Sequence, residues 1–155
     1  MPEERRVVSV LFADVAGSTA LGESTDPEDV RALLGRYYAI AKDVVAAHGG
    51  TLEKFIGDAV MAVFGIPQAH GDDAERALAA ALALRERVAA DPATAGLVLR
   101  IGVNTGEVVA TREAGAGDFL VTGDAVNVAA RLQQSAEPGA IVAGERTRRA
   151  TRAFR

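Results

Sequence analysis

Two acids and one amide–guanidinium pair are the residues of this 155-residue chain whose types and spacing could do chemistry. Asp14 follows an apolar run in LFADVAGST, residues 11 to 19, and Asp58 stands in the short Gly57-Asp58 connection between two further apolar runs. Each alone reads as an ordinary turn acid. Brought together, they would offer hard oxygen ligands to Mg²⁺ or Mn²⁺, and a pair of such ions can activate a hydroxyl and hold a triphosphate in line. The small residues after Asp14, Val15 to Thr19, lead towards helical structure, so their backbone amides could cradle phosphate. No full P-loop pattern accompanies them. Asn127 and Arg131 are spaced i and i+4, which puts them on one helix face. The arginine supplies a planar donor fork suited to phosphate. Taken singly, Arg131 is also readable as a solvated helix arginine and Asn127 as a packing or capping residue.

The elements that must position these residues follow from patterning. Residues 6 to 13 are β-branched and apolar, the composition of a central strand ending at Asp14. Asp26-Pro27-Glu28-Asp29 gives a helix start, apolar residues from Val30 to Val45 recur at helical spacing, and His48-Gly49-Gly50 closes the helix. Thr51 to Ile56 and Ala59 to Phe64 read as an antiparallel hairpin across Gly57-Asp58. A second helix opens at Gly71, with Asp72 and Glu75 at capping-box spacing, and runs to about Ala90. An apolar strand from Leu97 to Val103 continues past Asn104-Thr105-Gly106 to Thr111. Beyond a Gly/Ala-rich loop, Phe119 to Thr122 is a short strand and Gly123 to Gln134 a helix with Val126, Ala129, Ala130 and Leu132 inward or half inward. Ala140 to Ala143 is a last strand before the basic tail ERTRRATRAFR, read as a partly detached helix with a solvated face.

The order βαββαβ is that of a ferredoxin-like α+β fold with an antiparallel sheet, in which strand one lies beside strand three. Asp14 and Asp58 then converge at one edge of the sheet. Neither histidine is placed as a base: His48 ends a helix and His70 sits in a loop.

Composition bounds the rest. The length suits one domain with a core of its own. With 25% charged residues and a net charge of -4, the chain lacks the broad basic surface of a nucleic-acid binder. The absence of cysteine excludes disulfides and thiolate metal sites and fits the reducing cytoplasm. Charges interrupt every apolar stretch before the ~20 residues of a membrane span, so no membrane contact is expected of this segment.

With these residues assembled, the chain resembles the catalytic domain of class III nucleotidyl cyclases, the adenylyl and guanylyl cyclases. The matching pieces are LFADVAGST, LEKFIGDAVMAVFG, RIGVNTGEVV and TGDAVNVAARLQ. The resemblance implies a homodimer, or a pseudo-dimer with a related chain, with sites formed across the interface, and cyclisation of ATP, with GTP the alternative, to a 3′,5′-cyclic monophosphate and pyrophosphate. It implies that one subunit contributes Asp14 and Asp58 as ligands of two Mg²⁺ or Mn²⁺ ions, the Val15 carbonyl, and the amides of Gly17, Ser18 and Thr19 near the β and γ phosphates. The other would contribute Lys54 to the purine, Asn127 to the ribose and Arg131 to the α-phosphate.

Two departures stand beside the match. Where the family carries an Asp or Thr that reads the purine, this chain has Leu120, whose side chain neither donates nor accepts a hydrogen bond. The chain also ends before the strands that carry a further phosphate-binding lysine in the family, so residues 1 to 155 read as a single catalytic domain truncated at its C-terminus or as a fragment of a longer protein. A second reading is therefore a catalytically weak or silent cyclase-like module that binds nucleotide or partners and regulates a larger protein. A third, a receiver-type phosphoacceptor at Asp14, conflicts with the hairpin order.

Overall fold

The computed structural model describes residues 3–16, 26–56, 59–66, 71–112 and 119–151. Six strands and four helices alternate along them: β1 (Glu3–Ala16), α1 (Pro27–Ala47), β2 (Thr51–Ile56), β3 (Ala59–Phe64), α2 (Asp73–Ala90), β4 (Val98–Arg112), β5 (Phe119–Thr122), α3 (Asp124–Ser135), β6 (Ile141–Ala143) and α4 (Glu145–Ala150). The sheet order is β2-β3-β1-β4-β5, with β6 pairing parallel to β4. The expected βαββαβ core is present, and β1 lies antiparallel to both β3 and β4.

Strand alternation sends successive side chains of β1 to opposite faces. Leu11, Ala13 and Val15 enter the larger core with Tyr37, Ile40 and Val44 of α1 and Ala77, Ala81 and Leu84 of α2. Val8, Val10 and Phe12 enter a smaller cluster closed by Ala125 and Ala129 of α3. The alanine-rich inner row of α2 lets that helix lie close to the sheet, where larger residues would hold it off.

Local signals explain the ends of α1. Asp26 caps the helix, its Oδ1 accepting from the Glu28 amide at 2.8 Å, and Pro27 takes the first turn, where no amide partner is needed. At the other end the Gly50 amide donates to Val45 O at 2.9 Å and the Gly49 amide to Ala46 O at 3.1 Å, with Gly49 at φ 76°. His48 belongs to this closure, its Nδ1 2.8 Å from Val44 O.

Three expectations about local structure are corrected. Strand β1 does not stop at Ala13: the long β4 continues its ladder, pairing Asp14 with Arg100 and Ala16 with Val98. Asp72 forms no side-chain cap on α2, because its carboxylate accepts from Arg76 Nε at 2.7 Å instead. The described part of the basic tail, residues 145–151, is docked: Thr147 and Thr151 are buried, and Thr147 Oγ1 lies 2.8 Å from Thr105 Oγ1 on β4. Among the described residues no helix is long and apolar enough to cross a membrane.

Candidate functional site

Asp14 occupies the next position after Val8, Val10 and Phe12 on the face of β1 turned to α3, where the apolar alternation gives way to an acid. Its Oδ1 accepts from the amide of Val15 at 2.7 Å, and its Oδ2 from Nε2 of Gln133 on α3 at 3.4 Å. Val15 and Ala16 are extended, in register with Leu99 and Val98. The turn towards helical structure expected after Asp14 therefore does not begin at Val15 or Ala16.

The strand pairing puts Arg100 of β4 opposite Asp14. Arg100 is half-buried, and its Nε is buried without a hydrogen-bond partner among the described residues. A buried guanidinium donor left in that state is costly, and an anion would relieve it. Gly102, two residues on, explains why α3 can lie over this end of the sheet. A Cβ there would stand 2.5 Å from the Gln133 amide nitrogen and 2.7 Å from Ala129 O.

Helix α3 starts at Gly123, whose φ of 144° favours glycine, directly after β5. Asn104 Nδ2 donates to Ala125 O at 3.1 Å and pins that first turn to β4. The helix has two distinct faces. Ala125, Ala129 and Gln133 are buried against the sheet, while Asn127 and Arg131 are exposed on the other side. The predicted pair therefore does share a face, and it points away from its own chain's Asp14.

The remaining candidates are placed only in part. Lys54 lies by its backbone in β2, at one margin of the sheet, opposite Met61, beside a bulge between Leu52 and Lys54. Leu120 lies by its backbone in β5, opposite Thr111. Gly17, Ser18, Thr19 and Asp58 lie outside the described residues, as does His70. Strand pairing does carry Ala13 to Val60, two positions past Asp58 in sequence.

A divalent cation fits what is present at Asp14: a carboxylate of hard oxygens at the end of two paired central strands. Among the described residues no cluster of three or more His, Cys, Asp or Glu forms by itself. Two residues at this site were not picked out from sequence, Arg100 and Gln133. Each leaves a trace there, Arg100 as the charge inside the apolar run LVLRIGV, and Gln133 as the polar member of the inner row 125, 129, 133.

This α+β fold is shared with solved adenylyl and guanylyl cyclase domains, and the sequence carries the same relationship. The chain belongs to that family: the model described as "Adenylate and Guanylate cyclase catalytic domain" matches residues 1–154. An uncharacterized protein of Mycobacterium tuberculosis is 40% identical over 147 residues, covering 90% of this chain and 26% of that protein. "Adenylate cyclase 1" of Rhizobium meliloti is 38% identical over 138 residues, 83% of this chain and 21% of that protein. The chain thus spans a small part of the length of these curated relatives. Among solved structures, the adenylyl cyclase CyaB of P. aeruginosa superposes with TM-score 0.87 at 28% identity, covering 99% of this chain and 84% of the other. A guanylyl cyclase domain from the aquatic fungus Blastocladiella emersonii, described as a non-canonical dimer, superposes with TM-score 0.89 at 27% identity, covering 97% of this chain and 86% of the other.

Proposed function

We propose that residues 1 to 155 act as one catalytic domain that converts ATP, ahead of GTP, to a 3′,5′-cyclic monophosphate and pyrophosphate, at a site shared between two copies of the chain. The carrying observation is the two-faced helix α3: its buried Gln133 meets Asp14 of its own chain while Asn127 and Arg131 are turned outward. A site that needs Asp14 and the Asn/Arg pair together is therefore best served by a second copy.

In this reading Asp14 and Asp58, with the Val15 carbonyl, hold Mg²⁺ or Mn²⁺. When bound, such ions neutralise triphosphate charge and lower the pKa of a nearby hydroxyl. The partner's copies of Lys54 and Asn127 hold the purine and ribose, so that the 3′-oxygen stands in line with the α-phosphorus. The ribose oxygen gives its proton to water as its bond to phosphorus forms, and the bond from the α-phosphorus to the bridging oxygen breaks, its electron pair leaving with pyrophosphate. Arg131 meets the negative charge that grows on the α-phosphate, and the amides of Gly17 to Thr19, together with Arg100, meet the departing phosphates. ATP is put first on the name of the Rhizobium meliloti relative alone, since adenylyl and guanylyl cyclase structures are similar to the chain to nearly the same degree, and Leu120 leaves the purine edge without the polar partner that would enforce a choice.

Leu120 also favours a second reading, a nucleotide-binding regulatory module with little or no turnover. Purified protein incubated with ATP or GTP and Mn²⁺ separates the two. Cyclic nucleotide formed in proportion to protein supports the cyclase. Nucleotide bound without product, at high protein concentration and in a chain extended beyond Arg155, overturns it.

A further inference from the structure

The buried face of α3 carries one polar side chain in a row otherwise built of alanine. Gln133 follows Ala125 and Ala129 at helical spacing and is 5% exposed. A leucine or alanine there would fill the space without the cost of desolvating an amide, so the amide's partner matters. That partner is Asp14, whose Oδ2 accepts from Gln133 Nε2 at 3.4 Å while its Oδ1 is held by the Val15 amide. The carboxylate is thereby engaged from two directions, once by its own strand and once by the helix above. Gly102 makes the second contact possible, because a side chain there would meet the Gln133 backbone at 2.5 Å and lift the helix.

We propose that Gln133 is a positioning residue for the Asp14 carboxylate, fixing the plane in which its oxygens face a divalent cation. The inference rests on the reading of Asp14 as a metal ligand. Groups that orient a ligating carboxylate act on metal affinity more than on nucleotide affinity, and their loss typically weakens metal binding by about 10- to 100-fold. Because α3 also carries Asn127 and Arg131, the same contact ties the placement of that outward pair to the acid of its own chain. A displacement of the helix shifts both.

The test is direct binding of Mn²⁺ to the whole chain, followed by the electron paramagnetic resonance of the free ion with 2′,3′-dideoxy-ATP present, a nucleotide that has no 3′-hydroxyl to cyclise, after subtracting the Mn²⁺ that the same nucleotide takes up without protein. Gln133→Met keeps the volume and removes the donor; Asp14→Ala serves as the reference for loss of the site. The expected result is Mn²⁺ binding by the wild type, loss in Asp14→Ala, and roughly tenfold weaker binding in Gln133→Met. The nucleotide affinity at saturating Mn²⁺ and the melting temperature of Gln133→Met should stay close to those of the wild type. Wild-type Mn²⁺ affinity in Gln133→Met, alongside loss in Asp14→Ala, overturns the inference and leaves the metal reading standing. Equal binding by the wild type and Asp14→Ala overturns both. Where Gln133→Met does not melt cooperatively, Gln133→Asn, whose amide stops one methylene short, is held to the same criteria.

Discussion

On one face of the sheet, α1 and α2, 21 and 18 residues long, close over a core that runs from Leu11 and Val15 to Leu84 and Val88. On the other, the single 12-residue α3 covers a smaller cluster and leaves Asp14, Arg100 and Gln133 gathered at one end. The first face is packed chiefly by apolar contacts. Among the described residues the second is only partly roofed, and the polar groups gathered there suit a ligand. Stability and chemistry are thus carried by opposite sides of the same strands, with alternate residues of β1 serving each.

The comparison can be broken by substitutions that cross it. Arg131→Ala, at an exposed position, should lower kcat by roughly 10²- to 10³-fold while leaving the melting temperature in place. A comparable loss of stability would show that the outer face of α3 also holds the fold. Leu84→Ala on the opposite face should do the reverse, costing about 2–5 kcal/mol of unfolding free energy in denaturant titration while the folded enzyme keeps its KM. Gly102→Ala tests the seam between the two, since its methyl group would overlap backbone atoms of α3. It should cost about 1–3 kcal/mol of stability and also reduce turnover; a silent substitution would mean the helix has room to spare. The smallest effect is expected at the purine. Leu120→Thr should raise the preference for ATP over GTP by roughly 3- to 10-fold, the worth of about one hydrogen bond, in competition assays. An unchanged ratio would remove Leu120 from the nucleotide site.

Much of the fold was legible because its signals are local. The hairpin ends at Ile56 and Ala59, the ends of α1, and the β5-to-α3 transition all follow from turn and capping residues read in place. What was misread depended on partners far along the chain. The end of β1 is set by the length of β4, the fate of Asp72 by Arg76, and the docking of α4 by a threonine hydroxyl on β4. The site divides in the same way. Asp14, Asn127 and Arg131 announce themselves by residue type and spacing, and the last two share the exposed face of α3. Gln133 and Arg100 take their meaning only from the pairing of β1 with β4 and the approach of α3 over Gly102, neither of which is written in any single stretch of sequence.

The central claim is that each site draws Asp14 and Asp58 from one copy and Asn127 and Arg131 from the other, and subunit mixing tests it most directly. Asp58→Ala and Arg131→Ala chains, each inactive alone, should regain cyclic nucleotide synthesis when combined, because half of the sites in the mixed dimer are intact. Mixed dimers confirmed by mass that stay as inactive as either parent would contradict the account.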